Sequence, residues 1–186
     1  RFKEGSNVME SGAWQGWAPS AFLGTRVTGK SIGILGMGRI GTALAERAKA
    51  FGLNVHYHNR KKVHPDTETR LNAKYYNKLH DMLPHVDILA TCCPLRDETH
   101  HILNAEALAL MKPSAVVVNT ARGALIDEAA LEASLLNGQL AAAGLDVLAT
   151  GTHVNKTLCE LPNVMLLPHM GSATQEARHE MGETVI

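Results

Sequence analysis

The 186-residue chain is 45% hydrophobic and carries equal numbers of Lys+Arg and Asp+Glu, 18 of each. It can therefore bury the core of one generous domain, and its zero formal charge excludes a global field that would draw it to nucleic acid or an anionic membrane. Three cysteines form neither a disulfide framework nor a C-x-x-C zinc pattern, no apolar run approaches the roughly 18 residues of a membrane span, and no secretory signal pattern opens the chain. A reducing cytoplasm and small-molecule partners are the expectation, with neither nucleic acid nor membrane.

Residues 1–29 show little periodicity and read as an arm lying on something, with Trp14 and Trp17 as its anchors. From Lys30 onward strand-like and helix-like segments alternate. Lys30–Leu35 is a strand, a helix runs from Arg39 to Phe51 with Gly52 as its stop, and Leu53–His58 is a second strand, together one βαβ unit. A charged turn over 59–70 leads to a weak strand near Ala73–Tyr76, a short helix ending at Pro84 and a clear strand over Val86–Cys92. Asn104 caps a helix to Met111, Ser114–Asn119 is a buried strand, and Asp127 caps a helix that Gly138 terminates. Ala141–Asp146 and Val164–Leu167 supply two more strands, and Ser172-Ala-Thr-Gln175 reads as a capping box opening a last helix that runs to Ile186. Short loops between alternating elements predict a doubly wound parallel α/β sheet of the Rossmann type with flanking helices, its sites at the carboxyl ends of the strands. The expected division is an arm over 1–29, a dinucleotide-binding domain over 30–171 and the start of a C-terminal helix over 172–186.

The stretch that organises the chain is Gly36-Met-Gly-Arg-Ile-Gly41, a G-x-G-x-x-G run between the first strand and the first long helix. Gly36 allows a sharp turn, Gly38 allows the backbone to approach a pyrophosphate, and Gly41 allows helix and strand to pack closely. The helix that follows aims its unpaired N–H groups and the positive end of its dipole at the turn. Glycines also serve ordinary tight turns, so the motif alone is weak.

An acid at the end of the second strand, about 20 residues after the glycines, would bond the ribose 2′-hydroxyl of NAD. The chain has His56-Tyr-His-Asn-Arg-Lys-Lys62 there, without an acid. Asn59 repels nothing, while Arg60, Lys61 and Lys62 offer donors to a 2′-phosphate, so NADP(H) is predicted over NAD(H). A solvated basic turn is the bland alternative.

Two polar motifs follow buried strands: Asn119-Thr-Ala-Arg-Gly123, which puts Arg122 just beyond one strand, and Pro168-His-Met-Gly-Ser172, which does the same for His169. With the glycine loop and Gly144-Leu-Asp-Val147, these motifs resemble the D-isomer-specific 2-hydroxyacid dehydrogenases, most closely the glyoxylate/hydroxypyruvate reductases. The resemblance covers nearly the whole chain, from Gly12-x-Trp to the last helix. It implies that Arg122 holds the carbonyl and carboxylate oxygens of a small 2-oxo acid and that His169 is the general acid. It also implies that Arg39 and Ile40 bond the pyrophosphate through their N–H groups. Cys93, Pro94 and Thr99 would line the adenosine side; Thr120, Ala121 and Asp146 would fix the nicotinamide ribose and carboxamide, and Gly171 and Ser172 would close that end. Cys92 and Cys93 can instead be plain buried thiols, the reading favoured for Cys92. The other histidines, His100 and His101 among them, read as solvated or structural, and His56-x-His58 lacks the further ligands of a metal site.

The chain departs from the family pattern in two places. The family follows G-L-D-V with an acidic run whose Glu holds the catalytic His protonated, but here Gly151 stands at that position and Thr152 replaces the Pro after it. Carbonyl reduction is therefore expected to be slow and favoured by acid. The family also carries a separate substrate-binding domain, which is largely absent from these residues, and the chain starting at Arg1 reads as a piece of a longer frame. The Trp14–Trp17 region resembles an arm that lies across a dimer partner, so a homodimer is expected. The resulting expectation is the coenzyme-binding domain of an oxidoreductase that moves hydride from NADPH, or NADH, to glyoxylate or hydroxypyruvate, giving the D-2-hydroxy acid. The alternative is a catalytically weak dinucleotide-sensing protein on the same scaffold.

Overall fold

The computed structural model describes residues 1–149, 151 and 154–184. In chain order the elements are α1 (Phe2–Glu10), β1 (Ser31–Leu35), α2 (Arg39–Ala50), β2 (Asn54–His58), α3 (Pro65–Leu71), β3 (Lys74–Tyr76), α4 (Leu79–Met82) and β4 (Ile88–Thr91). They continue as α5 (Ala105–Ala109), β5 (Val116–Asn119), α6 (Glu128–Leu136), β6 (Ala142–Leu145), α7 (Lys156–Glu160), β7 (Val164–Leu166) and α8 (Gln175–Glu183). The seven strands form one sheet in the order β3-β2-β1-β4-β5-β6-β7, and every neighbouring pair is parallel. The winding direction reverses between β1 and β4. This is the doubly wound fold expected from the sequence, and its crevice opens beyond the carboxyl ends of those two strands.

Alternation along the strands splits the core in two. On one face Leu89, Val117, Ala143 and Leu145 pack with Leu83, Leu108, Leu131 and Leu158 under the later helices. On the other, Ile32, Ile34, Val55 and Tyr57 pack with Ala45, Ala48 and Leu71 of α2 and α3. Beyond α2 the second face is only partly covered: Val116, Val118 and Met165 line a groove of about 710 Å³ beside α1 and the Thr25–Val27 strap. That groove reaches toward the strand starts at Lys30, Asp87 and Ser114, away from the crevice.

Five sequence expectations need correction. The arm contains α1, a helix with no buried residue, so its pattern carries no core signal. The charged turn over 59–70 holds α3, capped by the His64 ring accepting from the Asp66 N–H and started by Pro65. Seven residues are too few for a clear period; α3 is fixed instead by Leu71 in the core and by the Tyr57 hydroxyl donating to Glu68 Oε1 at 2.5 Å. The last helix is capped two residues later than expected, by Thr174 Oγ1 accepting from Ala177 N–H rather than by Ser172. Pro84 lies inside a 3-10 turn, Leu83–His85, that follows α4 rather than ending it, and α5 stops at Ala109 before Met111. The predicted helix end at Ile186 lies outside the described residues.

At the strand-start edge, Asp87 joins three segments. Its Oδ2 accepts from Ser31 N–H at 2.8 Å and its Oδ1 from Lys112 Nζ at 2.9 Å. Burial would raise this carboxyl's pKa, but those two donors outweigh it and hold the group below its ordinary value of 3.8. A carboxylate with a lowered folded pKa adds stability above its unfolded pKa and loses it as pH falls through the folded one. Asp87→Asn should therefore cost on the order of 1 kcal/mol at neutral pH, with the gap closing as pH drops below about 3.8. Urea midpoints for both proteins across that range test this; a gap that persists in acid would assign the effect to packing.

Candidate active site

The glycine turn is built by close approach. Gly36 has φ +101°, and a Cβ on it would stand 2.6 Å from the backbone N of Cys93, at the end of the strand across the crevice. A Cβ on Gly41 would meet Gly36 O at 2.2 Å, so the first turn of α2 rests directly on the loop. Gly38 differs: it is the N-cap of α2, makes no side-chain cap, and a Cβ there would touch nothing within 4 Å. The first N–H groups of α2 have no intrahelical acceptor, and Arg39 and Ile40 are exposed, Ile40 by 70%. Packing thus demands glycine at 36 and 41, whereas space outside the protein is left open at 38. Such a cradle fits a dinucleotide diphosphate on a helix N-terminus.

The basic turn after β2 is pinned at both ends. Tyr75 Oη donates to Asn59 O at 3.2 Å, and the buried Tyr57 hydroxyl accepts from Val63 N–H at 3.2 Å. Burial and then the Glu68 hydrogen bond push the Tyr57 phenol up to about 12, so it stays a neutral donor and acceptor. Between the pins Arg60, Lys61 and Lys62 are exposed, with the Lys62 Nζ 5.3 Å from the Tyr75 ring centroid.

On the opposite wall the two cysteines differ from expectation. Cys93 is the buried one, packed into the larger core cluster, while Cys92 is half-buried on the α2 side. The Cys93 side chain therefore cannot line a channel; only its main chain faces Gly36. Burial pushes the Cys92 thiol up to about 11 and raises that of Cys93. Pro94 is exposed, and Thr99 closes its own loop, donating to Pro94 O at 2.9 Å and accepting from Arg96 N–H at 2.8 Å.

Beyond β5 the side chain of Asn119, 1% exposed, organises the turn to Arg122. Its Oδ1 accepts from Thr91 Oγ1 at 2.6 Å and from Ala121 N–H at 3.1 Å, and its Nδ2 donates to Arg122 O at 2.9 Å. Arg122 itself is exposed, its Nη1 donating to Ala121 O at 2.7 Å, and Thr120 beside it is exposed too. Gly123 is pressed against the next loop: a Cβ there would lie 2.0 Å from the Leu148 carbonyl carbon.

His169 follows β7 in the left-handed region, φ +53°, an unusual place for a residue with a Cβ. Asp146, 6% exposed, braces the loop: Oδ1 accepts from Met170 N–H at 2.8 Å and Oδ2 from Gly171 N–H at 2.9 Å. The Asp146 N–H in turn donates to Asn119 O at 2.9 Å, so the loops that carry Arg122 and His169 share one frame. Ser172 is half-buried behind Gly171. Among the described residues the histidines within 4.0 Å of a carboxylate are His64, His80 and His179, not His169. Gly151 has φ +67° and open space around its Cβ direction, and Thr152 lies outside the described residues. No group of three or more His, Cys, Asp or Glu that could hold a metal ion occurs among the described residues, and no described helix is long and apolar enough to cross a membrane.

The sequence reading missed Thr91 and Asn119 as organisers, although each is a lone polar residue ending an apolar strand. Both oxygens of Asp146, expected on the nicotinamide side, accept from N–H groups of the His169 loop.

The profile of the D-isomer specific 2-hydroxyacid dehydrogenase NAD binding domain matches residues 1–171. The chain belongs to this family. It is 43% identical over 189 aligned residues to a glyoxylate reductase of Thermococcus litoralis, covering 100% of this chain and 56% of that protein. It is 44% identical to glyoxylate/hydroxypyruvate reductase B of Pectobacterium carotovorum, covering 100% of this chain and 58% of that one. The crystal structure of an NADPH-dependent glyoxylate/hydroxypyruvate reductase from Sinorhizobium meliloti, in complex with NADP and malonate, superposes with a TM-score of 0.89 at 36% identity, covering 99% of this chain and 56% of that one. The chain thus spans a little over half the length of these relatives.

Gly36 and Gly38 separate by cause. Gly36→Ala should cost about 2–4 kcal/mol, because both φ and the Cys93 backbone oppose a Cβ. Gly38→Ala should leave thermal stability within about 0.5 kcal/mol and weaken dinucleotide binding instead. Thermal unfolding without cofactor and fluorescence titration with it check both; equal stability losses would refute the distinction.

Proposed function

We propose that the protein is an NADPH-preferring reductase of small 2-oxo acids such as glyoxylate and hydroxypyruvate, giving the D-2-hydroxy acid, with these residues as its coenzyme-binding domain. The observation that carries the reading is that Arg122 and His169 are both exposed at the crevice edge on loops tied together through Asn119 and Asp146. The likeness to named glyoxylate reductases over the whole chain supports it.

The chain's residues divide the work. The N–H groups of Arg39 and Ile40 hold the pyrophosphate across Gly36, Gly38 and Gly41. Arg60 and Lys61, with the Asn59 carbonyl held by the Tyr75 hydroxyl, take the 2′-phosphate; the absence of an acid there and the NADP complex of a relative support NADPH. Thr120, Ala121, Gly171 and Ser172 border the nicotinamide end, while Cys93, Pro94 and Thr99 serve the adenosine side through main chain and loop shape. NADPH, when bound, supplies the hydride that reaches the carbonyl carbon. The planar fork of Arg122 holds carboxylate and carbonyl oxygens together, and the imidazolium of His169 gives its proton to that carbonyl oxygen as the new C–H bond forms. The balance is one hydride and one proton added to C=O, with the imidazole left neutral.

A homodimer in the cytoplasm goes with this reading. Free cysteines suit a reducing compartment, and Trp17, 84% exposed on the arm, suits burial against a second copy.

Gly151 favours a second reading, a dinucleotide-responsive binding protein with vestigial turnover. Among the described residues no carboxylate lies within 4.0 Å of His169. A carboxylate placed beside the ring would favour its charged, proton-donating form, so Gly151→Glu should raise kcat at neutral pH, although the left-handed backbone will cost about 1–2 kcal/mol of stability. Steady-state oxidation of NADPH and NADH by the intact protein with glyoxylate and hydroxypyruvate tests the main reading. The expected result is turnover, with kcat/KM on the order of tenfold higher for NADPH and the preference erased by Arg60→Ser. Cofactor binding without turnover in either protein would establish the binding-protein reading.

A further inference from the structure

We propose that Asn119, aimed by Thr91, is a positioning residue for reduction: its buried carboxamide sets the turn that presents Arg122 to the substrate. The proposal rests on the reading of Arg122 as the clamp on the substrate oxygens.

Three groups converge on the Asn119 carboxamide, and each has a fixed role. The Ala121 N–H can only donate and the Arg122 carbonyl can only accept, so Oδ1 must face the first and Nδ2 the second. The Thr91 hydroxyl then donates to Oδ1 from the neighbouring strand, at 2.6 Å. Thr91 and Asn119 are register partners at the last rung of the β4–β5 ladder, and each is 1% exposed. A turn that leaves a sheet normally has loose main chain, but this one is referenced at two of its residues to one rigid, buried plane.

The other side of the turn is equally constrained. The Leu148–Ala149 backbone passes so close to Gly123 that a Cβ would overlap it, and the Ala149 N–H is itself held by Glu128 Oε2 at 3.0 Å. The Arg122 backbone is thus caught between Asn119 below and this strap above, while its guanidinium remains exposed. No shorter or longer side chain reproduces the pair of contacts. Aspartate in place of Asn119 keeps the acceptor for Ala121 and sets a lone pair against the Arg122 carbonyl, which pushes the turn outward. Because Arg122 must meet two oxygens at once, a displacement near 1 Å is expected to cost up to about a hundredfold in rate.

The test is steady-state glyoxylate reduction by the intact protein carrying Asn119→Asp, Thr91→Val, Thr91→Ser, Arg122→Ala, or Asn119→Asp combined with Arg122→Ala. Asn119→Asp should lower kcat/KM roughly ten- to hundredfold, mainly through KM for the 2-oxo acid, with NADPH affinity by fluorescence changing by less than that KM. Thr91→Val should move the same way by less, and Thr91→Ser, which restores the hydroxyl, should return kcat/KM to the wild-type value. In the Arg122→Ala background Asn119→Asp should cost nothing further, because the group it positions is gone. If Asn119→Asp slows the Arg122→Ala variant as much as it slows wild type, the role is structural and the proposal is overturned. Wild-type kinetics in Asn119→Asp beside a crippled Arg122→Ala would overturn it alone; full activity in Arg122→Ala would overturn the clamp reading and this proposal together. If Asn119→Asp fails to fold, the Thr91 pair decides: unchanged kinetics in Thr91→Val refute the proposal.

Discussion

Three adjacent strands, β4, β5 and β6, deliver a polar residue to the same buried level at or just beyond their carboxyl ends: Thr91, Asn119 and Asp146, at 1%, 1% and 6% exposure. Burying polar side chains costs free energy unless each finds a partner, and here each partner is a neighbour in the row or the backbone of the loop that follows. Thr91 bonds Asn119, the Asp146 N–H bonds the Asn119 carbonyl, and the Asp146 carboxylate holds Met170 and Gly171. The row turns a sheet edge, normally the start of mobile loops, into a rigid mount. The mount carries the loops of Arg122 and His169. Replacing the row with well-packed aliphatic residues would leave the same sheet and the same core, but the two loops would lose their shared reference.

The other half of the crevice is organised by steric contact rather than by hydrogen bonds. Gly36 can turn only because it lacks a Cβ beside Cys93, and α2 can start where it does only because Gly41 lacks one beside Gly36 O. Both contacts fall where the sheet reverses its winding, so the connections leave the sheet in opposite directions just where the main chain is closest. The opening that results is lined by backbone and by the unpaired amide end of α2. A diphosphate needs donors and little side-chain bulk, and this corner offers that combination. Its partner element, the basic turn after β2, is held at Asn59 and Val63 by two tyrosine hydroxyls, so Arg60, Lys61 and Lys62 stand on a fixed base although they lie in a loop.

Legibility in the sequence follows the range of the interaction. The strands, α2 and the glycine turn could be read because apolar runs and glycine spacing are local signals; the places of Arg122 and His169 just past strand ends follow from the same strand pattern. The caps at Asn104 and Asp127 could be read for the same reason. Helix α3 could not, because what fixes it is Tyr57 reaching Glu68 from another element. Helix α1 could not, because none of its residues is buried. The parity of the two cysteines was misjudged since the chain leaves β4 at Thr91, after which strict alternation no longer decides which side chain turns inward. Asn119 was quoted as part of a motif but not given a role, because two of its three partners are main-chain groups of a turn whose shape it creates and the third is on a different strand.

The left-handed backbone at His169 ties the mount to the missing glutamate. A β-carbon in that region typically costs about 1–2 kcal/mol, and it persists where flanking contacts over-determine the loop, here the two Asp146 hydrogen bonds to the next two residues. Those bonds occupy the carboxylate nearest in the frame on backbone N–H groups. Asp146 orients His169 through the loop rather than through the ring, and it does not replace a glutamate at the imidazole. Leu148 and Ala149 meanwhile make their contacts on Gly123 and Glu128, and Gly151 is left-handed with no neighbour within 4 Å of a would-be Cβ. Position and charge are therefore separable in this protein. The His169 loop is braced through its main chain by Asp146, whereas among the described residues no carboxylate lies within 4.0 Å of the ring itself.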